Sequence, residues 1–277
     1  MPRDKCVTHD ARHHTTTFRS FRAPTCLPPS ETRMGWETLV MSREQPPDAG
    51  RPMFDAFAED YLEHAQDSAY NAHYDRPAVV AMVGPVAGLR VLDVGCGPGL
   101  YAEELVARGA QFVLGIDASA EMVRLASARV SGPVEFRTHD LAQPLDWLDD
   151  GTFDLAVMAL VIHHVEDRQA ALVEIARVLR PGGRLVVSTH HPTSDWIRQG
   201  GSYFTVEKVT EQWSRGWLVS YWRQPLEATC AEFTEAGFLI EAVREPTPSE
   251  AFRRRDPHGA ERLSLEPGFI VFRLVKR

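Results

Sequence analysis

The chain has 277 residues, 44% of them hydrophobic and 25% charged, a composition that supports a sizeable core in one large globular domain or two small ones. A formal charge of −8 leaves no basic footprint for a nucleic-acid backbone, and no apolar run approaches the ~20 residues of a membrane helix. Cys6, Cys26, Cys96 and Cys230 form no CxxC pair and no dense framework, so the expectation is a reduced, cytoplasmic protein with neither nucleic acid nor membrane as partner.

From Met1 to about residue 50 the chain is rich in Pro, Thr, Arg and Ser and shows no apolar period, so it is expected to be disordered. Met34 and Met41 precede increasingly regular sequence, which leaves a later translation start as an alternative. Cys6, His9, His13, His14 and Cys26 match no common zinc-ligand spacing, and no metal is expected there. From Met53 to Val83 the stretches FDAFAEDYLEHA and AYNAHYDRPAVVAMV both place apolar residues at helical spacing.

The segment VLDVGCGPG, Val91 to Gly99, is the most informative in the chain. A β-branched apolar run ends in Gly95, Gly97 and Gly99, and the helix-like YAEELVARG follows. A strand that turns directly into a helix needs backbone angles that glycine adopts freely, and it leaves the helix N-terminus facing a ligand. The dinucleotide fingerprint GxGxxG places its third glycine one residue later, where this chain has Leu100. Asp93 lies before the loop. The next strand, QFVLGID, ends at Asp117, about 20 residues beyond the glycines, where a carboxylate can accept from ribose hydroxyls.

These residues resemble motif I and the following acidic position of the class I S-adenosylmethionine-dependent methyltransferases, of the small-molecule, ubiquinone-methyltransferase-like type. The resemblance implies an α/β, Rossmann-like fold over 51–277. Its central sheet would have seven strands, mostly parallel with an antiparallel last strand, and helices on both faces. It implies S-adenosyl-L-methionine as cofactor, held by Asp93, Gly95, Cys96, Gly97 and Gly99 of the loop. Asp117, Ala118 and Met122 would follow after the second strand, Asp140 and Leu141 at the adenine, and Leu160 after the fourth strand. In this family N-terminal helices fold over the cofactor mouth, which makes Tyr70 and Tyr74 candidate contacts. Cys96 reads as a small residue tolerated in a tight turn.

Further along, SAEMVRLASARV is a helix capped by Ser119, and PVEFRTHDL is the third strand. FDLAVMALVIHHVED is a continuously apolar strand suited to a sheet covered on both faces, and it ends in His163 and His164. EDRQAALVEIARVLRPGG reads as a helix stopped by Pro181-Gly182-Gly183, after which RLVVSTHHP is a fifth strand ending in His190 and His191. Residues 193–224 shift to large aromatics, among them Tyr203, Phe204, Trp217, Tyr221 and Trp222, and are expected to form a hairpin turning near Ser214-Arg215-Gly216 as a lid over the substrate. PLEATCAEFTEAGF is a helix, LIEAVREP a strand, the polar stretch through Pro257 a loop, and GFIVFRLVK the final strand.

Methyl transfer from a sulfonium needs alignment and exclusion of water, and a base where the acceptor carries a proton. Ligands of open α/β sheets bind beyond the carboxyl ends of the strands, which places the two histidine pairs at the active edge. His163 or His164 is the expected base. His190, His191, Tyr203, Phe204, Trp217, Tyr221 and Trp222 are the expected substrate wall. The aromatic cover favours a small planar or apolar acceptor. Two alternatives stay open: an NAD(P)-dependent oxidoreductase, and a non-catalytic S-adenosylmethionine-binding protein. Oligomeric state is not legible.

Overall fold

The computed structural model describes residues 53–213 and 215–277, and the expected disorder before residue 51 lies outside them. Helix α1 (Ala58–Asp67) is followed by a π turn over Asn71–Asp75 that runs on into α2 (Arg76–Val83), with Pro77 just past the junction. Then come β1 (Arg90–Val94), the glycine loop, α3 (Leu100–Ala107), β2 (Phe112–Asp117) and α4 (Ala120–Arg129). Ser119 caps α4 as expected, its hydroxyl accepting the Met122 N–H at 3.1 Å. β3 (Val134–Thr138) and β4 (Phe153–Ala159) precede α5 (Arg168–Val178) and β5 (Leu179–His190).

After β5 the chain forms α6 (Pro192–Gln199) and the antiparallel pair β6 (Glu207–Gln212) and β7 (Leu218–Arg223), the expected hairpin. It then continues through α7 (Leu226–Glu235), β8 (Phe238–Arg244), α8 (Glu250–Arg255), α9 (Pro257–Leu263) and β9 (Phe269–Lys276). The seven-stranded sheet has the order β3-β2-β1-β4-β5-β9-β8, and β9 alone runs antiparallel to its neighbours. This is the expected sheet.

The period-two alternation of β1 divides the core. Leu92 and Val94 face α5 and α7 together with Ile116, Phe153, Phe233 and Phe272, whereas Val91 faces α2 and α3 with Val113, Val157 and Val271. The chain leaves β1 towards β2 and β3 on one side and returns through β4 and β5 on the other. The carboxyl ends of β1 and β4 therefore flank a topological switch point, where the sheet opens a crevice.

Two expectations are corrected. Pro181-Gly182-Gly183 does not end the helix, which stops at Val178; it lies inside β5. Leu179 pairs with Phe153 and Arg184 with Leu155, so residues 180–183 loop out as a bulge, with Gly182 at φ 71° making the detour. The polar stretch through Pro257 is not a loop but holds α8 and the start of α9, whose first turns are capped by the Ser249 and Asp256 side chains. Both helices are too short for a hydrophobic period to show.

Candidate active site

Gly95, Gly97 and Gly99 all adopt left-handed backbone angles, with φ of 66°, 52° and 82°. A Cβ on Gly95 would lie 2.3 Å from a Val161 methyl, so that glycine is required by the protein's own packing. A Cβ on Gly97 would meet nothing within 4 Å, which marks open space above the loop. Asp117 closes the loop: it accepts the Gly97 N–H and the Ser119 N–H, each at 2.9 Å. Burial pushes its carboxyl up despite these bonds.

Asp93, at the end of β1, is 1% exposed. It accepts the Ala102 N–H from the first turn of α3, but its Oδ2 has no partner. Burial, reinforced by the charge of Asp117, pushes Asp93 up to about 7. A carboxylate held this way is suited to a cationic group arriving above the loop.

Of the other expected cofactor contacts, Ala118 and Met122 follow β2, with Met122 buried in the first turn of α4. Leu160 lies just past β4 at φ 57°, an unusual angle for leucine, with its N–H held by the Ser188 carbonyl at 3.0 Å and hydroxyl at 3.1 Å. Asp140 is exposed and accepts the Ala142 N–H of its own turn at 2.9 Å, and Leu141 packs against the core. Cys96 is buried and its thiol is pushed well up by burial, so it is inert.

The histidines part company. His163 and His190 stack with centroids 4.2 Å apart, and His164 lies 4.2 Å from His163. His163 shares a 3.0 Å hydrogen bond between Nδ1 and the Thr189 hydroxyl. Burial, and then the neighbouring imidazoles, hold it well below the usual range. His164 is held down to about 4, again mainly by burial. Its Nδ1 lies 2.8 Å from the Ser220 carbonyl, so that nitrogen carries the proton and Nε2 keeps a lone pair. His191 turns away from this stack, with Nδ1 accepting the Thr193 N–H to cap α6 and Nε2 facing Glu245 at 3.0 Å.

The expected wall residues also separate. Tyr221 is fully buried, 4.8 Å edge-on to His190, and its hydroxyl accepts from Arg198 at 2.9 Å. Trp217 stacks on Phe57 at 4.8 Å. Trp222 donates to Glu166, the Tyr203 hydroxyl accepts the Leu226 N–H, and Phe204 is 75% exposed. Tyr70 and Tyr74 pack on Phe252 and Phe269 beside α8 and β9.

Several site residues escaped the sequence reading. Met53 accepts the Ser220 N–H at 3.1 Å, Phe54 lies 5.5 Å from His164, and Asp55 hydrogen-bonds Ser119, so the start of the described chain straps the hairpin to the cofactor side. Tyr61 is pushed up to about 12 by burial and by Asp75 and Asp117. Asp75 is buried and accepts from the Tyr101 hydroxyl at 2.6 Å. Asp195 accepts from Arg198 at 2.6 Å and lies 3.4 Å from His190 Nδ1. The phenylalanines and tyrosine of the strap had registered only as one apolar helix stripe, and the acids as lone charges.

The switch-point crevice, the glycine loop and the acid at the end of β2 define an α/β protein built to hold a nucleoside-containing cofactor. Residues 92–187 match a family described as a methyltransferase domain. Over 137 residues the chain is 34% identical to a ubiquinone biosynthesis O-methyltransferase of Maricaulis maris, covering 48% of this chain and 50% of that protein. The chain spans about half the length of the curated relatives it matches. A solved S-adenosylmethionine-dependent methyltransferase of Mesorhizobium loti aligns with a TM-score of 0.60 at 26% identity, over 76% of this chain and 100% of that one. A putative one of Listeria monocytogenes reaches 0.65 at 20% identity, over 73% and 96%. Residues 92–187 are a methyltransferase domain on the fold of the S-adenosylmethionine-dependent methyltransferases, and that cofactor fits the unpartnered Asp93 oxygen and the open space over Gly97.

Proposed function

We propose that this protein transfers the methyl group of S-adenosylmethionine to a hydroxyl of a small planar molecule, phenolic or quinone-like. In this reading residues 51–277 are the catalytic domain and 193–224 its substrate cover. The observation that carries the reading is the stack of His163, His164 and His190 at the ends of β4 and β5, walled by Tyr221 and Phe269, beside the same crevice as the glycine loop. The name of the Maricaulis relative supports a quinone-like acceptor.

When bound, the cofactor supplies a methyl group on a positively charged sulfur, open to in-line attack. The chain's residues do the rest. Asp117 orients the ribose, Asp93 faces the positive charge of the methionyl end, and the strap and hairpin exclude water, which raises the effective concentration of the aligned reactants. His164 stays neutral at physiological pH, and its Nε2 lone pair takes the acceptor proton as the methyl moves.

The test is mass spectrometry of S-adenosylmethionine incubated with the protein and a panel of catechols and hydroquinones, alongside calorimetry with S-adenosylmethionine and NADH. A methylated product, with turnover reduced in His164→Ala at unchanged cofactor affinity, is the expected result. Binding of NADH in preference to S-adenosylmethionine would overturn the proposal.

A further inference from the structure

Asp75 is a buried acid near the site that the proposed reaction does not use. It ends the π turn before α2, outside the segment matched by the methyltransferase family, and is 1% exposed. Its Oδ2 accepts the Tyr101 hydroxyl at 2.6 Å, whereas its Oδ1 has no partner. Tyr101 belongs to the first turn of α3, directly after the glycine loop. On the other side the carboxylate is within reach of Ser188 on β5 and feels the charge of His190. It thus stands between α3, which follows the glycine loop, and β5, whose end carries His190.

No cation answers it fully. The neighbouring Arg76 gives one nitrogen to the Ala65 carbonyl at 2.8 Å and stands 5.9 Å over the Tyr101 ring. Burial pushes Asp75 up to about 6, so its negative charge is costly and would be relieved by a cation delivered with the ligand.

We infer that Asp75 reads the charge on the cofactor's sulfur, and so makes the site prefer the positively charged methyl donor over the neutral thioether left after transfer. The inference rests on the methyltransferase reading above. The attraction belongs to the bound ground state, because the positive charge leaves the sulfur as the methyl moves. It therefore shows in affinity and product release rather than in the chemical step.

Three ligands share the nucleoside and the methionyl end but differ at this one position: S-adenosylmethionine with a sulfonium, sinefungin with an amine, and S-adenosylhomocysteine with a neutral thioether. Calorimetry on the full chain should show Asp75→Asn losing at least tenfold in affinity for the first two while S-adenosylhomocysteine changes less than threefold. Tyr101→Phe keeps the carboxylate and should keep the preference. If Asp75→Asn does not fold, Asp75→Ser removes the same charge and takes its place. Equal losses for all three ligands, or none, overturn the inference, as does loss of the preference in Tyr101→Phe. Asp117→Ala is the control that should weaken all three alike, since they share the ribose. A wild-type protein that binds none of them sinks the methyltransferase reading, and this inference with it.

Discussion

Asp93→Asn should stabilise the protein at alkaline pH and disable it. Burial pushes the wild-type carboxyl up to about 7 in the folded chain from an ordinary value of about 4, so the folded state binds more protons between those limits and stability falls as pH rises through them. That rise corresponds to about 4 kcal/mol lost by pH 8, shrinking to under about 1 kcal/mol near pH 4. Asparagine keeps an oxygen for the Ala102 N–H but carries no charge. The weaker hydrogen bond costs about 1 kcal/mol, which leaves a net gain of about 3 kcal/mol at pH 8. Urea unfolding at pH 8 and pH 4 measures the difference directly. Calorimetry at pH 8 should show S-adenosylmethionine binding weakened at least tenfold. A variant less stable than wild type at pH 8 would refute the argument, since it would mean that the buried charge has a partner.

Gly97→Val should lose cofactor binding while most of the core survives, because its side chain enters the open space over the loop and its left-handed angle costs about 1–2 kcal/mol. Normal affinity in a titration would show that the loop does not touch the cofactor. Tyr221→Phe removes the hydroxyl that accepts from Arg198 beside Asp195, so stability should fall by about 1–2 kcal/mol. In a methyl-transfer assay with an accepted catechol its KM for the acceptor should rise with the cofactor affinity unchanged; equal effects on both would place the acceptor elsewhere.

The sheet was legible because its signals are local and periodic. β1, β2, β4 and β9 are apolar runs of strand length, and three glycines at alternate positions allow little but a strand turning into a helix. The histidine pairs were legible as strand ends but not as individuals. Neighbouring residues of an extended chain point to opposite sides, so His190 and His191 could not both face one pocket. His190 joins the imidazole stack and His191 caps α6. Tyr70 and Tyr74 lie on a segment rightly read as helical. Their partner Phe252 belongs to α8, which is hidden in a polar stretch, so nothing in the sequence announced the face they would bury.

Asp75, Asp93 and Asp117 share a property that no motif states. All three are carboxyls pushed up mainly by burial, gathered around a single loop. A fold under selection for stability alone would replace them, since a neutral side chain of the same shape avoids the desolvation cost. In the proposed reading Asp93 and Asp75 meet the positive charge of the cofactor and Asp117 meets its ribose, and these contacts offset the cost of burying the acids. On that reading the desolvation cost of these acids and the affinity for the cofactor come from one arrangement. Neutralising these acids trades affinity for stability.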